Sequence, residues 1–187
     1  MKKEVRSRGI QARNDIDTRT RRELSIEIAK NICRSEEYKR AEVIMLYKAV
    51  GGEVSLEAVE EQAAKDGKKL AYPLCVSKTQ MVSLCPRSEK AWEKGSYGIM
   101  EPRKEESDYM PPENISLIIC PCTAFDLECR RMGMGGGYYD RFLPLCRNAF
   151  IAAAAFEVQK TREVPADKYD VPMQKIFTER KIYTRVF

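Results

Sequence analysis

At 187 residues the chain has the length of one domain, and 43% apolar with 33% charged side chains excludes an intrinsically disordered chain. No apolar run approaches the ~20 residues of a bilayer-spanning helix, since the longest candidate, residues 149–156, is strand length. The formal charge of +5 resides in residues 1–40, where 12 Lys and Arg face 7 Asp and Glu, while the remainder balances at 21 against 21. A local positive field of this kind suits a polyanionic ligand, or simply a solvated helix face.

The absence of histidine removes the Ser-His-Asp and Cys-His nucleophiles, imidazole metal ligands and any acid or base with an unperturbed pKa near neutrality. Catalysis must then rest on charge, carboxylates or a bound cofactor. Seven cysteines, an odd number with no C-x-x-C spacing, argue for reduced thiols rather than a disulfide framework or a zinc site. The basic start lacks a following apolar block, so no secretory signal is expected and a cytoplasmic location follows.

In chain order, residues 2–13 suit a helix, and "NDID" at 14–17 offers aspartate caps to a second helix in which Leu24, Ile28 and Ile32 recur every four residues. These basic N-terminal helices span about 2–34. Residues 42–50 read as a buried strand, followed by Gly51-Gly52-Glu53, a helix at 55–66 closed by Gly67, and a strand at 68–76. A short strand is expected at 81–85, and 92–114 is a connection punctuated by Gly and Pro. Residues 115–125 form another buried strand, a helix runs from Tyr139 to Cys146, a strand covers 149–156, and 175–184 can hold an edge pair. Continuously apolar strands alternating with helices predict an α/β fold, a single three-layer domain over 1–187 whose largely parallel sheet is covered by helices on both faces. In such sheets ligands bind beyond the carboxyl ends of the strands.

The segment "RRMGMGGGYYDRFLP" (130–144) holds four of the ten glycines, at 133, 135, 136 and 137, where the chain leaves a buried strand and enters a helix. Glycine lets successive backbone N–H groups curl around a phosphate, and the helix dipole favours the anion. Arg131 and Arg141 bracket the segment. The spacing matches neither G-x-x-x-x-G-K-[ST] nor G-x-G-x-x-G, so on the glycines alone a turn that needs positive φ stays open beside a phosphate site.

The longer string resembles the R-L-G-x-G-G-G-Y-Y-D-R-x-L signature of the 5-formyltetrahydrofolate cyclo-ligases. The likeness extends through Lys2 and Arg6, "YKAVGGEVS" around Glu53, "AYP" at 71–73, "GSYGIMEP" at 95–102, "AFD" at 124–126, "AFEVQ" at 155–159 and "VPADKYD" ending at Asp170. Three positions depart from the family pattern: Cys129 stands where glycine is common, Met132 where leucine is common and Tyr169 where histidine is common.

This resemblance implies an ATP- and Mg²⁺-dependent closure of 5-formyltetrahydrofolate to 5,10-methenyltetrahydrofolate with release of ADP and phosphate. It implies Lys2, Arg6 and Arg131 as the catalytic cations at the ATP phosphates, with Met132, Gly133, Met134, Gly135, Gly136, Gly137, Tyr138 and Tyr139 completing the nucleotide site. Met134 through Tyr138 would also border the folate, Glu53 would accept hydrogen bonds from the pterin, and Asp140 and Asp170 would bind Mg²⁺. Trp92, Tyr97, Glu101 and Pro102 are candidates for the folate pocket wall, and Lys48 for the acidic tail. The expected partner is the small-molecule substrate, with no nucleic acid or membrane, and the chain is expected to act as a monomer. A non-catalytic folate-binding protein on the same scaffold is the competing reading; nucleic-acid binding through the N-terminal segment is disfavoured because residues 1–37 contain no aromatic side chain to stack on bases.

Overall fold

The computed structural model describes residues 1–95 and 98–186. Helix α1 spans Lys2–Asn14 and α2 spans Thr18–Arg34; the Asp17 side chain caps α2 by accepting a 3.0 Å hydrogen bond from the Thr20 amide. A short α3, Glu36–Arg40, leads into β1, Val43–Met45, and α4, Glu57–Lys65, crosses to β2, Lys69–Cys75. Strand β3, Met81–Pro86, is followed by the hairpin β4, Trp92–Lys94, with β5, Met100–Pro102, and then by β6, Ser107–Tyr109. The chain continues through β7, Leu117–Pro121; β8, Ala124–Phe125; β9, Arg131–Met132; α5, Tyr138–Phe142; β10, Phe150–Ala154; β11, Lys175–Phe177; and β12, Ile182–Thr184.

Eight strands form one sheet in the order β12-β11-β10-β7-β1-β2-β3-β6. The five from β11 to β2 run parallel, β12 on one edge and β3 on the other run antiparallel to them, and β6 pairs antiparallel with β3. The α/β class expected from the apolar strands is present, as is the edge pair expected at 175–184.

Alternation of side chains divides the interior in two. Ile44, Leu117, Ile119, Ala152 and Ala154 face α2 and α4, where Ile28, Ile32 and Val59 are fully buried. Met45, Ile118, Cys120 and Ala153 face the opposite layer, in which Phe142 of α5 and Leu143 pack. That layer is thinner in helix, because α5 has five residues and gives way to a 3-10 turn at Leu143–Leu145 that contains Pro144. Proline has no N–H to continue an α-helix, which shortens the helix expected to reach Cys146.

Two expected strands are also shorter than their apolar runs. The β1 ladder closes with the Leu46 amide, which donates to Ala71 O at 2.9 Å, and Tyr47 beyond it owes its apolar character to burial, at 4% exposure, rather than to strand pairing. The run at 115–125 breaks between β7 and β8, where the Cys122 and Thr123 carbonyls accept hydrogen bonds from the Gln159 side chain at 2.8 and 3.0 Å. Among the described residues, no helix is long and apolar enough to cross a membrane.

Candidate active site

The carboxyl end of β7 anchors two buried arginines on consecutive carbonyls. Arg131 donates through Nη1 to Pro121 O at 3.2 Å, and Arg13, reaching across from α1, donates through Nη1 to Cys122 O at 3.4 Å. Both side chains are almost wholly enclosed, at 3% and 2% exposure. The Nε–H of each has no partner among the described residues. Buried guanidinium groups left partly unsatisfied are destabilising by themselves, which marks both as candidates for a functional role.

Around Arg131 the glycine segment folds back over α5. Gly135 and Gly137 have φ of 102° and 65°, a backbone region that side chains other than glycine's rarely tolerate. Three of the four glycines also make room for a cation. A Cβ at Gly133 would lie 3.2 Å from Arg131 Nη1, one at Gly135 would lie 3.1 Å from Arg6 Nη2, and one at Gly137 would lie 2.8 Å from Arg141 Nη1. A Cβ at Gly136 would instead strike the Tyr138 ring at 2.9 Å.

Carbonyls of this segment are in use: Arg6 Nε donates to Gly133 O at 2.8 Å and Arg141 Nη2 to Gly136 O at 2.7 Å. Its amides are not, for the N–H groups of Gly133, Met134, Gly135, Gly136 and Gly137 donate to no other described residue. Free N–H groups beside guanidinium charge at a strand-to-helix turn can serve as a receptor for an anion such as a phosphate group. Tyr138 Oη and Arg141 Nε tie this receptor to the turn after β2 by donating to Ser77 O at 3.1 Å and Thr79 O at 2.7 Å. The Arg131 guanidinium lies over the Tyr139 ring, 5.3 Å from its centroid.

Two carboxylates border the receptor. Asp140, in the first turn of α5, accepts from Arg131 Nη2 at 3.2 Å and from the Val171 amide at 3.3 Å, both through Oδ1. The Val171 contact brings the neighbouring Asp170 to the same place. Asp170 Oδ2 accepts from Lys2 Nζ at 2.6 Å and from the Asp167 amide at 2.7 Å; Lys2 also donates to Asp167 Oδ2 at 2.7 Å. Partial burial, the largest single influence, pushes the Asp170 carboxyl up, but the Lys2 and Asp167 hydrogen bonds and the charges of Lys2 and Arg131 together hold it below its ordinary value. Asp140 Oδ2 and Asp170 Oδ1 accept no hydrogen bond from described residues. No cluster of three or more His, Cys, Asp or Glu exists among the described residues, so the protein offers two carboxylates rather than a closed metal cage. That donor set fits Mg²⁺, which takes one or two carboxylates together with substrate phosphates and water.

Glu53 occupies the loop that follows β1 and is 9% exposed. Its Oε2 accepts from the Val50 amide at 3.1 Å, and its Oε1 lies 3.6 Å from Arg13 Nη1. Burial raises the Glu53 carboxyl above its ordinary value, opposed by the Val50 hydrogen bond and by Arg13. A cavity of about 200 Å³ opens beside this loop between Tyr47, Lys48, Val50, Leu56 and Met100. Lys48 is engaged at its rim: Nζ binds both Glu60 carboxylate oxygens at 2.8 and 2.7 Å and lies 4.7 Å from the Trp92 ring centroid. Its ammonium is held in an ion pair at the cavity wall. Trp92 in turn packs edge-on against Tyr72 at 4.7 Å. Glu101 and Pro102 lie on the β4–β5 hairpin, and Tyr97 lies outside the described residues.

The structure thus gathers Lys2, Arg6, Arg131, Asp140, Asp170 and residues 133–139 into one site, with Glu53 linked to it through Arg13 and the end of β7. Two members had no distinguishing signal in the sequence. Arg13 is one basic residue among many on α1, and Gly9 resembles an ordinary helix-weakening glycine. A Cβ at Gly9 would stand 1.9 Å from Thr123 O, so the bare glycine is what lets α1 lie on the β7–β8 connection.

Comparison with known proteins places this arrangement in context. The family model described as the 5-formyltetrahydrofolate cyclo-ligase family matches residues 1–179. The 5-formyltetrahydrofolate cyclo-ligase of Haemophilus influenzae is 29% identical over 141 residues, covering 73% of this chain and 75% of that protein. The probable 5-formyltetrahydrofolate cyclo-ligase of Schizosaccharomyces pombe is 28% identical over 178 residues, 87% of each. Among solved structures, the Aquifex aeolicus 5,10-methenyltetrahydrofolate synthetase superimposes with a TM-score of 0.86 at 30% identity, covering 98% of this chain and 92% of that one. A Mycoplasma pneumoniae 5,10-methenyltetrahydrofolate synthetase shares the fold, with a TM-score of 0.78 at 23% identity, over 95% of this chain and 98% of that one.

Proposed function

The chain belongs to the 5-formyltetrahydrofolate cyclo-ligase family and is a ligase, and from that premise we propose that it cyclises 5-formyltetrahydrofolate to 5,10-methenyltetrahydrofolate with ATP. The observation that carries the reading is the set of unused amides from Gly133 to Gly137 beside the Arg6 and Arg131 guanidinium groups. A protein that only sequestered folate would have no use for such a phosphate receptor.

In the proposed reaction the formyl oxygen attacks the γ-phosphorus, the bond to the bridging oxygen breaks and ADP leaves. N10 then bonds to the formyl carbon and loses its proton, and phosphate departs with the former formyl oxygen. The attacking atom is an amide-type oxygen that carries no proton, so a chain without histidine has what the first step requires. Phosphoryl transfer depends chiefly on positioning and charge stabilisation.

Arg131, fixed on Pro121 O and Asp140, supplies positive charge that needs no reorganisation as the reaction proceeds. Arg6, fixed on Gly133 O, supplies a second cation from α1. Lys2 exchanges its two aspartate partners for phosphate oxygens when nucleotide binds. The amides of residues 133–137 donate to the transferred group, and Tyr138 borders the folate. Asp140 and Asp170 would hold Mg²⁺, which when bound neutralises phosphate charge. Glu53 would accept N–H donors of the pterin ring.

The test is turnover of 5-formyltetrahydrofolate with and without ATP, followed through the near-ultraviolet absorbance of the methenyl product. ATP-dependent product formation is expected, and tight folate binding without ADP release would overturn the reading in favour of a binding protein. In Asp140→Asn the carboxylate is lost while the Arg131 contact can persist through the amide oxygen. Turnover should fall roughly 100-fold or more, the scale associated with one electrostatic group at a reacting centre, with a raised Mg²⁺ requirement and little loss of folding. An unchanged rate would remove Asp140 from the metal site.

A further inference from the structure

We propose that Arg13 is a positioning residue for substrate recognition: its guanidinium, lying against the Gly51-Gly52 turn, holds Glu53 as the carboxylate that accepts two N–H donors of the pterin ring. The inference rests on the proposed function for the identity of the ligand, while the coupling between the two side chains stands on geometry.

Arg13 is 1% exposed, deeper than any other cation on α1. Its hydrogen bonding to the protein is poor: one 3.4 Å contact to Cys122 O and an unpartnered Nε–H. The nearest anion is Glu53, whose Oε1 is 3.6 Å from Nη1, with both side chains nearly enclosed at 2% and 6% exposure. At that distance the pair is an electrostatic contact rather than a formed hydrogen bond. Oε1 therefore retains its accepting capacity for a ligand, and Oε2 has capacity beyond the 3.1 Å Val50 contact. The Gly51-Gly52 turn carrying Glu53 rests on the same helix end: a Cβ at Gly51 would lie 3.8 Å from Arg13 Nη2, and one at Gly52 would lie 2.6 Å from Asn14 Oδ1 and 3.4 Å from Arg21 Nη1. Arg13 thus lies beside both the Glu53 carboxylate and the turn that carries it, a turn that Asn14 and Arg21 also support.

The other polar groups around this turn do not take that role. Tyr47, after β1, is buried and donates its hydroxyl to Val54 O at 3.0 Å. Tyr139, on α5, lies within electrostatic reach as a neutral phenol, and Cys122, after β7, is a buried thiol whose pKa burial pushes up to about 12. Arg21, from α2, is held on Ile16 O at 2.6 Å. Arg13 alone among these groups is both positively charged and in ion-pair range of the carboxylate. Burial already raises the Glu53 carboxyl, with the Val50 hydrogen bond and Arg13 opposing it. Without Arg13 its titration should move further upward, because the opposing positive charge is gone. As the pH falls through that new value the carboxyl gains a proton, and an O–H then faces N–H donors that need an acceptor.

The experiment compares the wild-type protein, Arg13→Met and Arg13→Lys. In Arg13→Met the KM for folate at neutral pH should rise roughly tenfold or more and return toward the wild-type value as the pH is raised. The KM for ATP should change less than about twofold, because Arg131 and the glycine amides are untouched. Arg13→Lys, which keeps a cation, should restore most of the affinity. A purely structural role would lower the yield of folded protein without a pH-dependent split between the two KM values.

Carbon-13 NMR of the glutamate side-chain carboxyls, with Glu53 assigned through Glu53→Gln, reads the coupling directly. Glu53 should be ionised at neutral pH in the wild type and titrate higher in Arg13→Met. A folate KM that is unchanged in Arg13→Met, or an identical Glu53 titration in both proteins, overturns the proposal. Should Arg13→Met fail to fold, a Glu53 found protonated at neutral pH in the wild type overturns it equally. Absence of wild-type turnover would instead defeat the functional reading, and the NMR titration would still decide whether Arg13 controls Glu53.

Discussion

Replacing Gly9 by alanine sets a favourable local effect against an unfavourable tertiary one, and the distances decide between them. In an isolated helix the change stabilises by about 1 kcal/mol, since alanine is the better helix former. Here the new Cβ would stand 1.9 Å from Thr123 O, 2.9 Å from Thr123 C and 3.2 Å from Ala124 Cβ. A carbon and a carbonyl oxygen approach no closer than about 3.3 Å, so α1 must retreat by more than an ångström, and overpacking of this kind costs about 1–3 kcal/mol. The obstacle is backbone, which cannot swing aside as a flexible side chain can. The expected net result is a loss of up to about 2 kcal/mol.

The larger consequence concerns the site, because α1 carries Lys2, Arg6 and Arg13. An ångström of retreat stretches the 2.8 Å contact from Arg6 Nε to Gly133 O and the 2.6 Å contact from Lys2 to Asp170 beyond hydrogen-bond range. Misplacement on this scale lowers catalysis by up to roughly 100-fold. Denaturant unfolding and steady-state kinetics with ATP as the varied substrate measure the two effects, with Arg8→Ala on the exposed face of the same helix as control. Gly9→Ala with wild-type stability and unchanged kcat/KM for ATP would refute the argument that close approach of α1 builds the nucleotide site.

Cys129 has φ of 57°, the one positive value outside glycine among the described residues, and it is fully buried. Cys129→Gly relieves a left-handed strain of about 1–2 kcal/mol and loses the packing of the sulfur, whereas Cys129→Ala keeps the strain and loses the sulfur as well. Thermal unfolding should therefore rank glycine above alanine at this position by about 1 kcal/mol; the reverse order would mean that strain is absent. The Lys2–Asp170 contact has a defined pH window. Asp170 lies below its ordinary carboxyl value of 3.8, so the contact contributes above that pH and is lost as the pH falls through the depressed value. Lys2 is raised above 10.5 by its two aspartate partners, which outweigh the opposing effect of burial, so the contact is lost on the alkaline side as the pH climbs through the raised value. Backbone NMR shifts of α1 should stay constant between these limits and move at both ends in the wild type only; identical titrations in Lys2→Met would show that the contact does not hold the helix.

Much of this molecule follows from residue pattern alone. The buried runs at 42–50, 68–76, 115–125 and 149–156 marked four of the five parallel strands, since a strand covered on both faces is apolar along nearly its whole length. Asp17 marked the start of α2 through a local hydrogen bond that needs no tertiary partner. The glycine-rich segment after a strand announced a turn that backbone amides could line, and there both the conformation and the chemistry are properties of consecutive residues. Where those apolar runs leave the ladder was a different matter, because Tyr47 is buried beyond the last ladder bond and composition reports only burial.

Tertiary structure alone separated Arg13 from Arg8. Both are arginines on one basic helix, yet Arg8 is 77% exposed beside Glu4 while Arg13 is sealed against Cys122 O and Glu53. It likewise committed Lys48 to Glu60 and assigned Gly9 to a backbone contact more than 100 residues away. A charged side chain has the same composition and local propensity whether it is solvated or enclosed. Its function depends on which carbonyls and carboxylates the folded chain brings to it, and those lie on other strands and loops, at separations that local sequence pattern does not encode.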